Sequence, residues 1–215
     1  LLPSSGLPIC AGHRVDWKES EIASPSPFIR QRCIDYFKRN IELCKEVEGE
    51  YILFTPGAVV RPKKYDDFEF DRAVETLKIL GDLFLEADVK AAIEPVRIDE
   101  VSFCHKFEDA VRLIKSVDHK GVAHIAGDVY HMFHHETHIG QTILDFGNYL
   151  VNIHMADTNR KAVGSGMLDL DIIIMALYLT GYNNKKAFLS AEPLGPSLDP
   201  YYQMYGRTDL QILDR

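Results

Sequence analysis

Ala91-Ala92-Ile93-Glu94-Pro95, His124-Ile125-Ala126-Gly127-Asp128, Val151-Asn152-Ile153-His154 and Phe188-Leu189-Ser190-Ala191-Glu192 end alike. In each, a short apolar run with strand character is closed by a side chain that can bind a metal. A helix-like segment follows at least the first three. In a parallel α/β sheet or barrel such positions converge at the C-terminal face, where active sites lie. Two Glu, one Asp and one His gathered there form a hard, oxygen-rich site for a divalent ion such as Mn²⁺, Mg²⁺ or Co²⁺. A single Glu before Pro is usually a loop or capping residue, and a single strand-end His is usually a hydrogen-bonded structural group. Four such residues at equivalent ends of four strands point to a metal site.

Working outward, residues 7–13 read as a short strand ending in His13, with a loop through Arg14, Asp16 and Trp17. Ser26-Pro27 starts a helix. Ile29, Cys33, Phe37, Ile41 and Cys44 carry its apolar face to about residue 47, and Gly49 stops it. Residues 51–57 form a buried strand with a turn. A helix spans 68–87, with Val74, Leu77, Leu80 and Phe84 on one face. Strands over 89–94, 122–128, 149–157 and 187–192 alternate with helices over 107–117, 137–146 and 167–179. The loop 160–166 carries the glycines of a tight turn. A Pro-, Gly- and Tyr-rich tail with an incomplete helix follows residue 193.

Six strand–helix units with apolar strands predict an α/β fold with a parallel sheet covered by helices. No Gly-rich dinucleotide fingerprint is present. The reading is therefore a (β/α)8 TIM barrel lacking its first two β/α units, as one domain over 1–215. A complete barrel takes about 250 residues, so roughly 60–70 N-terminal residues would be absent. The opening at Leu1, directly into mid-domain sequence, fits a fragment or processed chain.

The chain has 215 residues, 46% hydrophobic and 26% charged, enough for a substantial core without disulfides. Its net charge of −8 gives no support for a nucleic-acid partner. Cys10, Cys33, Cys44 and Cys104 show no C-x-x-C spacing and read as free thiols in a reducing, cytoplasmic compartment. No run is long and apolar enough for a membrane helix, and no signal peptide is visible.

The loops past the strand ends supply more groups for the same mouth. Glu100 lies six residues after Glu94, and His131 three after Asp128. Asp157 and Arg160 lie three and six after His154. His13 has a strand-end position that admits a pocket role. Trp17 and Tyr130 could stack on a sugar ring or simply cover the mouth. His134, His135 and His138 read as a solvated loop or helix face, and His105, His119 and His124 as structural.

Ile93-Glu94-Pro95, Gly127-Asp128-Val129-Tyr130-His131, the run 152–160 with Gly164-Ser165-Gly166, and Ala191-Glu192-Pro193 together resemble the xylose-isomerase-like barrel superfamily. The nearest branch is the ketose 3-epimerases, similar to tagatose and psicose epimerases, and the resemblance runs from about residue 7 to 193. It implies one divalent ion, usually Mn²⁺, held at Glu94, Asp128, His154 and Glu192. It also implies Glu94 and Glu192 as the acid/base pair, with Glu100, His131 and Arg160 on substrate oxygens. Two departures touch the substrate side. Arg97 stands where the pattern often has Asn, and could favour a phosphorylated or carboxylated substrate. His134-His135-Glu136 replaces a common acidic pair.

The chemistry of the residues agrees. Removing a proton next to a carbonyl requires stabilising an enediolate, which a metal does as a Lewis acid. Two carboxylates on opposite sides of a sugar allow removal from one face and return on the other. The first reading is thus a metal-dependent sugar isomerase or epimerase acting on a small-molecule ketose, expected as a homo-oligomer. The runner-up is the catalytic subunit of a C-glycoside deglycosidase, a lyase working with a small β-rich subunit. An inosose dehydratase is a further alternative. An endonuclease IV-type repair enzyme has the charge against it. A non-catalytic sugar binder would be expected to lose one of the four ligands.

Overall fold

The structure, a computed structural model, describes residues 21–59 and 61–193. The strand read over 7–13, with His13 and Trp17, the thiol of Cys10 and the tail beyond 193 lie outside the described residues. Those described form a five-stranded sheet with strand order following chain order. The strands are β1 (Tyr51–Phe54), β2 (Lys90–Ile93), β3 (His124–Asp128), β4 (Leu150–Met155) and β5 (Phe188–Ala191). All four pairings are parallel. Parallel neighbours need crossovers, and helices make them. The helices are α1 (Pro27–Glu46), α2 (Glu69–Ala87), α3 (Phe107–Val117), α4 (Val129–His135), α5 (Ile139–Phe146) and α6 (Leu170–Leu179). Among the described residues no helix is long and apolar enough to cross a membrane.

Two apolar layers shape the sheet. The larger packs helices on its outer face and includes Phe37, Leu77, Leu80, Phe84, Ile93, Phe107, Leu113 and Ile153. Gly127 on β3 allows this close approach, because a Cβ there would lie 2.7 Å from Phe107 Cζ and 2.9 Å from Ile153 Cδ1. The smaller layer is Tyr51, Leu53, Ala92, Ala126 and Val151, with Phe188 packed on it. Tyr51 on the first strand and Phe188 on the last have ring centroids 5.6 Å apart. In a flat sheet four strand spacings would separate them by about 19 Å. The sheet is therefore curled, and the smaller layer is the interior of a partial (β/α) barrel.

The helix boundaries follow the apolar spacing closely. α1 begins with Pro27 at its first turn and buries Cys33, Ile34, Phe37, Ile41 and Cys44. Its end is made by Glu48 in the left-handed region (φ 56°), one residue before the expected Gly49. Asp88 and Asp118 do the same after α2 and α3. The short helix α4 was not expected from the sequence. β5 is only half buried: Leu189 is 51% exposed, as are Tyr178 and Leu179 on α6 at 63% and 69%.

Candidate metal centre

The curl brings the four strand ends together. Inward residues alternate along each strand, apart from a register irregularity where β3 meets β4, and Glu94, Asp128, His154 and Glu192 stand two positions beyond Ala92, Ala126, Asn152 and Ser190. Ser190 Oγ donates to Asn152 Oδ1 at 3.0 Å, tying β5 to β4 beneath the ligands. The ladder fixes the ends themselves. Glu94 N–H donates to Phe54 O at 2.9 Å and Glu192 N–H to Met155 O at 3.0 Å. Asp128 and His154 are direct register partners on β3 and β4. One ligand atom from each of the four residues lies within 4.8 Å of the others.

His154 Nδ1 is 3.5 Å from Glu94 Oε1 and 3.3 Å from Glu192 Oε2. Glu94, Asp128 and His154 are buried. Burial disfavours charge on His154, but contact with Glu192 and Glu94 outweighs it and pushes the imidazolium up to about 11. Burial, then the charges of Glu192 and Glu94, raises the Asp128 carboxyl to about 8. Burial likewise raises Glu94. Three carboxylates thus crowd one spot, and the protein's own cations are too few beside them. Asp128 Oδ2 and His154 Nδ1 are buried with no aligned hydrogen-bond partner among the described residues. Orphaned donor atoms of this chemistry, within one coordination sphere, fit a divalent ion.

α4 settles the orientation of Asp128, whose Oδ1 accepts the Tyr130 N–H at 2.8 Å and leaves Oδ2 toward the cluster. The same helix brings His131 to the rim, its Nε2 3.3 Å from Asp128 Oδ2. Burial and then the Arg160 and Arg97 charges hold His131 well below the usual imidazole range, so it is neutral. Arg160 has left-handed backbone (φ 55°) and is buried, with Nη2 3.6 Å from Glu192 Oε2 and 3.9 Å from Asp128 Oδ2. Arg160 Nε and Nη1 and His131 Nδ1 are buried without hydrogen-bond partners among the described residues. Glu100, also buried, accepts from Arg97 Nε at 2.8 Å. Burial raises its carboxyl against the pull of Arg97 and Arg160.

Asp157 behaves differently from the other expected substrate-side residues. Its side chain is turned into its own loop, taking N–H groups from Thr158 (2.8 Å), Gly164 (2.8 Å) and Leu168 (3.3 Å). It shapes the loop that carries Arg160, a role that the reading of it as a substrate contact did not include. Arg97 also departs from expectation, because its guanidinium is engaged by Glu100 and by Tyr130 Oη. His134 lies on α4, where its Nδ1 pairs with Tyr130 O. His135 accepts the Ile98 N–H, and His138 caps α5. Cys33, Cys44 and Cys104 are free and buried. Tyr130 at the mouth was left open by the sequence, and its place two residues past a strand-end ligand was the available signal.

A family model described as the xylose isomerase-like TIM barrel matches residues 4–196. D-psicose 3-epimerase of Ruminiclostridium cellulolyticum is 26% identical over 223 residues, covering 98% of this chain and 74% of that protein. 3-dehydro-D-guloside 4-epimerase of Escherichia coli is 28% identical over 169 residues, covering 72% of this chain and 63% of that protein. The structure of an L-ribulose 3-epimerase superposes with a TM-score of 0.76 at 19% identity over 87% of this chain. The chain spans 60% of that solved protein.

Proposed function

Since the chain belongs to the xylose isomerase-like TIM barrel family, we propose that it is a divalent-metal-dependent sugar epimerase or isomerase. The observation that carries this reading is the four-strand cluster of Glu94, Asp128, His154 and Glu192 with its orphaned donor atoms. The two curated relatives support it, because both of their names describe inversion at a carbon beside a ketone. That carbon is C3 in a 2-ketose and C4 in a 3-dehydro sugar.

The cluster would hold the ion, Mn²⁺ being the expected one with Mg²⁺ or Co²⁺ as substitutes. When bound, it supplies Lewis-acid polarisation of adjacent carbonyl and hydroxyl oxygens. The protein's residues supply the rest. Glu94 and Glu192, just past β2 and β5, both approach His154 Nδ1. One takes the proton from carbon, and the other returns a proton to the opposite face. Arg160 Nε and Nη1 are donors in want of acceptors, and His131 Nδ1 is a ring nitrogen in want of a partner; sugar oxygens and hydroxyl groups would satisfy them. The buried setting strengthens these polar contacts and keeps bulk water from competing.

The test is proton NMR in D₂O with Mn²⁺, free ketoses and 3-oxo-glycosides. Deuterium should enter at the carbon beside the ketone of one class. Glu192→Gln and Glu94→Gln should each slow this by about 10²–10⁴-fold. Absence of exchange on every sugar, with aglycone released from an oxidised C-glycoside, would overturn the reading in favour of a deglycosidase.

A further inference from the structure

We propose that Arg97 is a positioning residue that ties Glu100 and Arg160 into one unit through the ring of Tyr130. The inference rests on the sugar-enzyme reading for its consequence, and on geometry for its basis. Arg97 is 7% exposed in the loop after β2. Its Nε and Nη2 lie 2.8 and 2.6 Å from Glu100 Oε1, and its Nη1 donates to Tyr130 Oη at 3.1 Å. Its guanidinium carbon is 5.1 Å from the Tyr130 ring centroid. Arg160, from the loop after β4, places its guanidinium carbon 4.7 Å from the same centroid. Three β/α loops therefore meet in four side chains beside the metal ligands.

Each link has a physical reason. Tyr130 is held at the start of α4 by its N–H bond to Asp128 Oδ1. Arg160 has two donors with no hydrogen-bond partner among the described residues, so its position depends on the ring face and on its outer contacts with Asp128 and Glu192. The Tyr130 hydroxyl can lock the ring only while Arg97 donates to it. A planar fork can serve Glu100 and Tyr130 together, whereas a lysine ammonium is a compact point charge. With Arg97 engaged in this way, its part is to aim Glu100 and Arg160 at substrate oxygens rather than to receive an anionic group itself.

Steady-state kinetics on the sugar found active, with Mn²⁺ saturating, tests the proposal. Arg97→Gln and Tyr130→Phe should each raise KM by about 10-fold while kcat stays within about 3-fold. Arg97→Lys should fail to restore KM. The double variant should be no worse than Arg97→Gln alone, since both single changes break one chain of contacts. Unchanged KM, or additive losses, would overturn the proposal.

A second readout needs no turnover. The Arg160 Nε–H resonance in ¹H–¹⁵N NMR of the full chain should feel the Tyr130 ring current and shift in both single variants. An unmoved resonance would overturn the proposal. If the wild type acts on no sugar, the catalytic reading fails, and this resonance alone decides the inference. Should Arg97→Gln fail to fold with Glu100 left unpaired, Tyr130→Phe, which keeps that pair, carries the test.

Discussion

At the scale of single residues, Asp157 shows how a carboxylate beside an active-site mouth can act without facing it. Three backbone N–H groups converge on it. Gly166 approaches so closely that a Cβ there would lie 2.1 Å from Asp157 Oδ1. Asp157→Ala would take the shared acceptor from three part-buried N–H bonds, at a cost of about 2–3 kcal/mol. Calorimetry should show Tm lower by about 5–10 °C. A Tm equal to wild type, with only KM raised, would return Asp157 to the substrate side. The contrast with the candidate metal ligands explains what the sequence could and could not convey. Each ligand closes an apolar strand, so the ladder dictates its direction. Asp157 lies three residues further along, on backbone that turns freely, and spacing alone could not say which way it points. Arg97 likewise stood out as an unusual residue, while its bond to Tyr130 depends on an unforeseen helix.

At the scale of elements, the long amphipathic helices and the strands were legible because their periods are sustained by burial on one face or two. α4 was not, since Val129–His135 is short, rich in His, and held by the Asp128 cap and packing of Met132. β3 offers a test of its own. Its first residue, His124, is partly buried with Nδ1 lacking a hydrogen-bond partner among the described residues. Burial, helped by the charge of Lys90, lowers its pKa to about 4. In the unfolded chain it titrates near 6.5. Between these values the unfolded state binds more protons, so the full contribution is present above about pH 6.5 and is lost as pH falls toward 4. Allowing for screening of a partly exposed ring, the loss is roughly 1–2 kcal/mol. Urea midpoints across this window should fall less steeply in His124→Gln than in wild type. Parallel slopes would show that His124 is not the group responsible.

At the scale of the whole molecule, the four candidate ligands come from four of the five described strands, so cation binding and the integrity of the wall are linked. β5 is the least buried of these strands, and Glu192 is anchored to β4 by one ladder bond. Mn²⁺ at a hundred times its Kd should add about 2.7 kcal/mol to the folded state. Hydrogen exchange should slow most at the Glu192 amide and along β5, and least in α2. Uniform protection, or none, would separate the ion from the wall. The contact of Tyr51 with Phe188 carries a further consequence. Mutually repelling carboxylates are kept together by rings meeting across the barrel interior, so the aperture is fixed when the chain folds. A cation binding there would have no ligands to gather, because the entropy of assembling its coordination sphere would already have been met by the hydrophobic interior.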